Sequence, residues 1–252
     1  MANWSLFGRR DLLGLTMTGV ALGTLGPLAR GARAQGTNQG AKLKIATIGA
    51  GREGGAIGTI LAKQGHPVMF SSRNPDQLKE LVEKAGPNAR AGSVAEAVAF
   101  GDAVLLVVPF TAIEQIGKDH GKALAAKVLV MDVSNPIPRR DGEDFVKQVN
   151  AEGGAGVVTQ KLIPGAHLVR GFNAIGSGQL TAEGHRAGEM AGVPIAGNDP
   201  KAIEVASALS RELGFEPVLV GDLAMGKYLR PGTPLGGVHT VAELKQIAAT
   251  LK

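Results

Sequence analysis

The sequence predicts an α/β fold: a doubly wound, mostly parallel sheet carrying a small C-terminal lobe. Three observations predict it. Short apolar runs alternate with segments of helical period from Leu43 onward. The first run hands over to a helix through closely spaced glycines, GAGREG at 49–54. A later run, DAVLLVV at 102–108, is apolar enough for a central strand.

Residues 43–48 (LKIATI) read as a buried strand. Gly49, Gly51 and Gly54 follow, then Ile57, Ile60 and Leu61 at helical spacing, and a second strand at 67–70 that ends in Ser71, Ser72 and Arg73. Strand, glycine turn, helix and strand in this order make a Rossmann-type dinucleotide-binding unit. The G-x-G-x-x-G spacing alone shows little, because a chain with 37 glycines in 252 residues meets it about once by chance. Its context decides, since the match lies where a strand hands over to a helix. There Gly49 permits the tight turn, Gly51 lets the backbone approach a pyrophosphate, and Gly54 lets the helix pack close to the strand. Ala50, Arg52 and Glu53 complete the loop, and the helix N-terminus offers free N–H groups to the anion.

The end of the second strand selects the cofactor. A reader of NAD places Asp or Glu there to bond the ribose hydroxyls. This chain has Ser71-Ser72-Arg73-Asn74 and no carboxylate until Asp76. A carboxylate repels a 2′-phosphate, whereas a hydroxyl and a guanidinium bind it, so the expected cofactor is NADP(H).

The alternation continues. Residues 76–84 are expected as a helix stopped by Gly86-Pro87, 89–91 as a short strand, 94–100 as a helix, and 111–125 as another. The strand at 102–108 runs into Pro109-Phe110, and one at 128–133 ends at Ser134-Asn135-Pro136. Strand carboxyl ends face the ligand in such sheets, so residues 107–110, Val108 and Pro109 among them, and Asn135 are expected beside the nicotinamide. Residues 141–156 read as a polar connection with one helix around 144–150, and 158–163 as a helical turn. Strands at 167–172, 190–196 and 216–220, and helices at 200–213 and 240–251, complete the chain.

The first 34 residues read as a twin-arginine signal peptide rather than as part of the fold. Arg9-Arg10 precede an uncharged apolar run at 12–28, and Ala32-Arg33-Ala34 offers a cleavage site. Glycines and Pro27 within that run argue against a stable membrane span. Cleavage near Ala34, a flexible leader at 35–41, a nucleotide-binding domain over 42–252 with its lobe from about 160, and a periplasmic or extracellular location are expected; a retained anchor is the alternative. The segment carries four arginines and one aspartate, so the net charge of +5 falls to +2 without it. No basic stripe remains to support nucleic-acid binding.

Taken together, GAGREG, GHPVMFSSRNP, LLVVPF, MDVSNP and RGFNAIGSGQL resemble the coenzyme F420-dependent NADP oxidoreductases and their relatives, which include the nucleotide domain of membrane-bound ferric reductases. The resemblance runs from Lys42 to about Pro231. It implies that the glycine loop holds the pyrophosphate, that Ser72 and Arg73 take the 2′-phosphate, that the V-P-aromatic and N-P turns lie along the nicotinamide, and that two copies pair through the lobe. Arg52-Glu53 departs from the pattern, and Glu53 beside phosphates is electrostatically odd unless it points outward.

No cysteine is present and no two of the five histidines stand at metal-ligand spacing, so no metal site is expected. The catalytic residues are not identified. Hydride transfer to a flavin or deazaflavin co-substrate needs chiefly two rings held at reacting distance. Phe172 and Asn173 are the candidates for lining the acceptor pocket, with water or His167 as a proton source. Two other readings stay open: a reductase of a small carbonyl or imine, and a non-catalytic NADP-binding module.

Overall fold

The structure, a computed structural model, describes residues 42–251. The signal peptide and leader expected over 1–41 lie outside the described residues. All eight expected strands form, and all join one sheet: β1 (Ile45–Ile48), β2 (Val68–Ser71), β3 (Ala89–Gly92), β4 (Ala103–Leu106), β5 (Leu129–Asp132), β6 (Leu168–Gly171), β7 (Ala191–Gly197) and β8 (Phe215–Gly221). Their order is β3-β2-β1-β4-β5-β6-β7-β8. Strands β1 to β6 run parallel, β7 is antiparallel to β6, and β8 is parallel to β7. The chain steps outward from β1 to β3, then restarts on the other side of β1 with β4. The loops after β1 and β4 therefore leave in opposite directions and open a crevice at the carboxyl ends.

Ten helices accompany the sheet among the described residues: α1 (Arg52–Lys63), α2 (Lys79–Ala85), α3 (Val94–Phe100), α4 (Ile113–Ala125), α5 (Pro138–Asp141), α6 (Glu143–Ala151), α7 (Ala155–Leu162), α8 (Ser177–Glu183), α9 (Pro200–Glu212) and α10 (Val241–Thr250). One core cluster takes Ile57 and Leu61 of α1 and Leu209 of α9; a second takes Val98, Ile113 and Val158 of α3, α4 and α7. A third, smaller cluster around Val218, Leu229, Leu235 and Leu244 holds α10 and the final loop to the end of the sheet. Local signals set the helix starts. Ser93 with Glu96 and Thr240 with Glu243 form capping boxes, and Asp199 caps α9 ahead of Pro200.

The helix expected at 76–84 begins with a 3₁₀ turn at Pro75–Leu78 before α2, and the one expected at 111–125 begins with a 3₁₀ turn at Phe110–Ala112 before α4. The strand expected at 102–108 ends at Leu106. The Val108 N–H leaves the ladder and donates to the Ser134 hydroxyl at 3.2 Å, which peels the chain away at the crevice. The connection at 141–156 holds more helix than its polarity predicts: α5 ends and α7 begins inside it. Among the described residues no helix is long and apolar enough to cross a membrane.

A side chain on Gly54 would collide with the Gly49 carbonyl, a backbone atom that cannot swing aside. Gly54→Ala is therefore expected to cost about 1–3 kcal/mol, measured by urea denaturation. A neutral result would contradict the close packing of α1 on the glycine turn.

Candidate active site

The crevice is shaped first by the glycine turn. Gly49 has φ +96° and lies against the Val107 carbonyl, so the loops after β1 and β4 touch at their base. The Ala50 N–H donates to the Ser71 carbonyl at 3.1 Å, tying the turn to the end of β2. Gly51 is the N-cap of α1, and a Cβ built on it meets nothing within 4 Å. The backbone is thus open where a pyrophosphate would approach, and the N–H groups of Arg52, Glu53 and Gly54 in the first helical turn have no intrahelical partner.

Two cavities meet at this turn and share Gly51, Val107, Val108 and Pro109. The larger, about 960 Å³, reaches Ser72 and Arg73 at the end of β2 and His120 on α4. Ser71 is buried and donates to the Thr47 carbonyl at 3.0 Å, so it holds β1 to β2. Ser72 accepts from the Asn74 N–H at 3.1 Å, and Arg73 is exposed on the cavity rim. Asp76 does not line the cavity. The end of β2 thus offers a cation and a hydroxyl, which suit a 2′-phosphate, while Asp119 of α4 is the carboxylate among the described residues that line this cavity.

The smaller cavity, about 510 Å³, is bordered by Arg52, Glu53, Ser134, Asn135, Asn173 and Arg230, with Arg140 and Phe172 also in its wall. Its floor is a buried polar network. Arg170 and Asp132 are both fully buried, register partners on β6 and β5, and the guanidinium donates to Asp132 Oδ2 at 2.6 Å. Burial pushes the Arg170 pKa down, and the Asp132 charge opposes that shift. Asp132 also accepts from the Thr159 hydroxyl at 2.9 Å and the Ser134 N–H at 2.8 Å. The second edge of Arg170 donates to Asn135 Oδ1 at 3.0 Å, and Asn135 Nδ2 donates to the Asn173 carbonyl at 2.8 Å. Asn173 Nδ2 in turn donates to the carbonyls of Asp132 and Ser134 at 3.0 and 3.2 Å. The two asparagines expected here are therefore present and held in place by the ion pair.

Glu53 points away from the loop backbone. Its Oε1 accepts from the Ser177 N–H at 2.7 Å at the start of α8, which explains an acidic residue beside an anion site: it joins the glycine loop to the far wall. Phe172 has φ +61° and packs its ring edge-on to Phe215, centroids 5.6 Å apart, and although only 1% exposed it stands in the wall of the smaller cavity. Two expectations need correction. Phe110 packs against Phe145 in the core and borders neither cavity. His167 precedes β6, at the amino end of that strand and so opposite the crevice, where it pairs with Asp199. Asp132, Arg170, Ser134, Arg140 and Arg230 join the site without a motif in the sequence that marks them.

Residues 44–136 match the family described as NADP oxidoreductase, coenzyme F420-dependent. This segment belongs to that family. Metalloreductase STEAP3 of Rattus norvegicus is 30% identical over 184 residues, which is 73% of this chain and 35% of the relative. Glycerol-3-phosphate dehydrogenase (NAD(P)+) of Enterococcus faecalis is 28% identical over 226 residues, 82% of this chain and 58% of the relative. The chain thus spans about a third to somewhat over half of these curated relatives. A solved structure of a hypothetical protein from Sinorhizobium meliloti has 27% identity and TM-score 0.64, covering 77% of this chain and 92% of that one.

Arg170→Met strands a buried carboxylate and is expected to cost about 3–5 kcal/mol, with part of the loss recovered when Asp132→Asn is added. Urea denaturation of the two variants measures both values. A loss below about 1 kcal/mol, the range of exposed pairs, would contradict the role assigned to the network.

Proposed function

We propose that this chain is an NADP(H)-dependent oxidoreductase that passes hydride to a flavin- or deazaflavin-type acceptor. The observation that carries the reading is the meeting of two cavities at the glycine turn. One ends on Ser72 and Arg73, and the other opens over the Asn135–Asn173 wall. A dinucleotide lying across the turn would be held at its phosphates by the α1 N-terminus and at its 2′-phosphate by Ser72 and Arg73. When bound, NADPH supplies a hydride, two electrons with one proton.

The chain's own residues position and shield. Val107, Val108 and Pro109 form the waist between the cavities, and the Asp132–Arg170 network fixes the asparagine wall opposite Glu53. Among the described residues in the wall of the smaller cavity, Glu53 is the one carboxylate and no histidine is present. Transfer between two rings requires no acid from the protein, only their alignment. That favours a ring acceptor over a carbonyl, whose reduction needs a proton delivered to oxygen.

Arg73→Ala is expected to weaken NADPH binding by about 10- to 100-fold, the value of a charge-assisted contact, and to leave NADH affinity unchanged. Titration of nicotinamide fluorescence measures both, alongside NADPH oxidation with a flavin acceptor. Equal losses for the two nucleotides, or no NADPH binding by the wild type, would overturn the reading.

A further inference from the structure

Five buried side-chain polar atoms lack a hydrogen-bond partner among the described residues. Two of them, Glu53 Oε2 and Asn173 Oδ1, are acceptors and belong to residues in the wall of the smaller cavity. A buried oxygen without a donor is costly, and two in one wall point to a ligand group that donates twice.

Each oxygen is held in place by the rest of its own side chain. Asn173 is 2% exposed, and its Nδ2 donates to the carbonyls of Asp132 and Ser134 at 3.0 and 3.2 Å. Two carbonyls can take only the nitrogen, so the amide cannot turn over and its oxygen stays on the other side. Glu53 lies in the first turn of α1, and its Oε1 accepts from the Ser177 N–H at 2.7 Å, which pins the carboxylate and leaves Oε2 free. Arg52-Glu53 departs from the family pattern, so a contact made by this carboxylate is particular to this chain. The other side chains of the wall do not compete for a donor. Arg52 and Arg230 can only donate, and among the described residues neither forms an ion pair. Asn135 Oδ1 already accepts from Arg170, and the Ser134 hydroxyl accepts from the Val108 N–H.

The smaller cavity meets the larger one at Gly51 but does not reach Ser72 or Arg73. A dinucleotide with its 2′-phosphate on that pair and its pyrophosphate at the α1 N-terminus therefore brings its nicotinamide half here. That half carries one group with two N–H donors, the amino group of the carboxamide. We propose that Glu53 Oε2 and Asn173 Oδ1 together accept from this amino group, so that the cleft selects a dinucleotide by its carboxamide. Holding the group at both hydrogens restricts rotation of the ring, and a fixed ring is what hydride transfer requires. The proposal rests on the NADP(H) reading above and deepens it at the nicotinamide end.

The analogue 3-acetylpyridine adenine dinucleotide phosphate tests it, because a methyl group replaces the amino group and the rest of the molecule is kept. In calorimetric titration the wild type is expected to bind NADP+ about tenfold or more tightly than the analogue, the value of a hydrogen bond to a charged group. Glu53→Gln keeps the tie to Ser177 through its amide oxygen but sets an NH2 where Oε2 stood. Donors then face donors, and the ratio is expected to fall towards one. ADP-ribose 2′-phosphate, which lacks the nicotinamide, is expected to bind both proteins alike and so checks folding. No NADP+ binding by the wild type sinks the nucleotide reading itself. With NADP+ bound, equal affinity for NADP+ and the analogue in the wild type, or a preference that survives in Glu53→Gln, overturns the role of Glu53. So does a Glu53→Gln protein that loses ADP-ribose 2′-phosphate as much as NADP+, because Glu53 would then act on the pyrophosphate end.

Discussion

The ion pair between Arg170 and Asp132 is the interaction on which the smaller cavity of this protein depends. Burying two charges costs several kcal/mol each, and a buried pair survives only where further hydrogen bonds complete it. Here Thr159 from α7, the Ser134 backbone and the Asn135 side chain do so. The same contacts fix the chain after β5 against the chain after β6. The pair therefore does more than hold two strands, which their backbone ladder already joins. It determines where Asn135 and Asn173 stand, and so the shape of one wall of the smaller cavity.

The other half of the cleft is made by close backbone packing rather than by charge. Gly49 lies against Val107, and Gly54 lies against Gly49, so the turn, the start of α1 and the end of β4 converge without intervening side chains. Gly51 faces open space at the same point. Rigid backbone with exposed N–H groups suits a pyrophosphate, and the polar wall on one side and the serine–arginine pair on the other give the two ends of the cleft different chemistry.

Much of this was legible in the sequence because it is local. The strand–glycine–helix handover, the residues after β2 and the eight strands each leave a signature within a few neighbouring positions. The buried network leaves none. Asp132 and Arg170 each look like a single polar residue ending an apolar run, and only the parallel register of β5 and β6, 38 residues apart, reveals them as a pair. Phe110 misled for a related reason. An aromatic residue after a strand reads as pocket lining, but this ring is buried against Phe145 in the core. Arg230 sits in a loop without periodicity, and its backbone is fixed by Thr233 and Gly236.

The proposed reading of the 2′-phosphate of NADP(H) rests on Ser72 and Arg73 at the end of β2. Equilibrium titration of the wild-type protein with NADPH and with NADH tests it most directly. The account predicts that NADPH binds at least about tenfold more tightly, the difference of one charge-assisted contact. Equal affinity, or a preference for NADH, would contradict it.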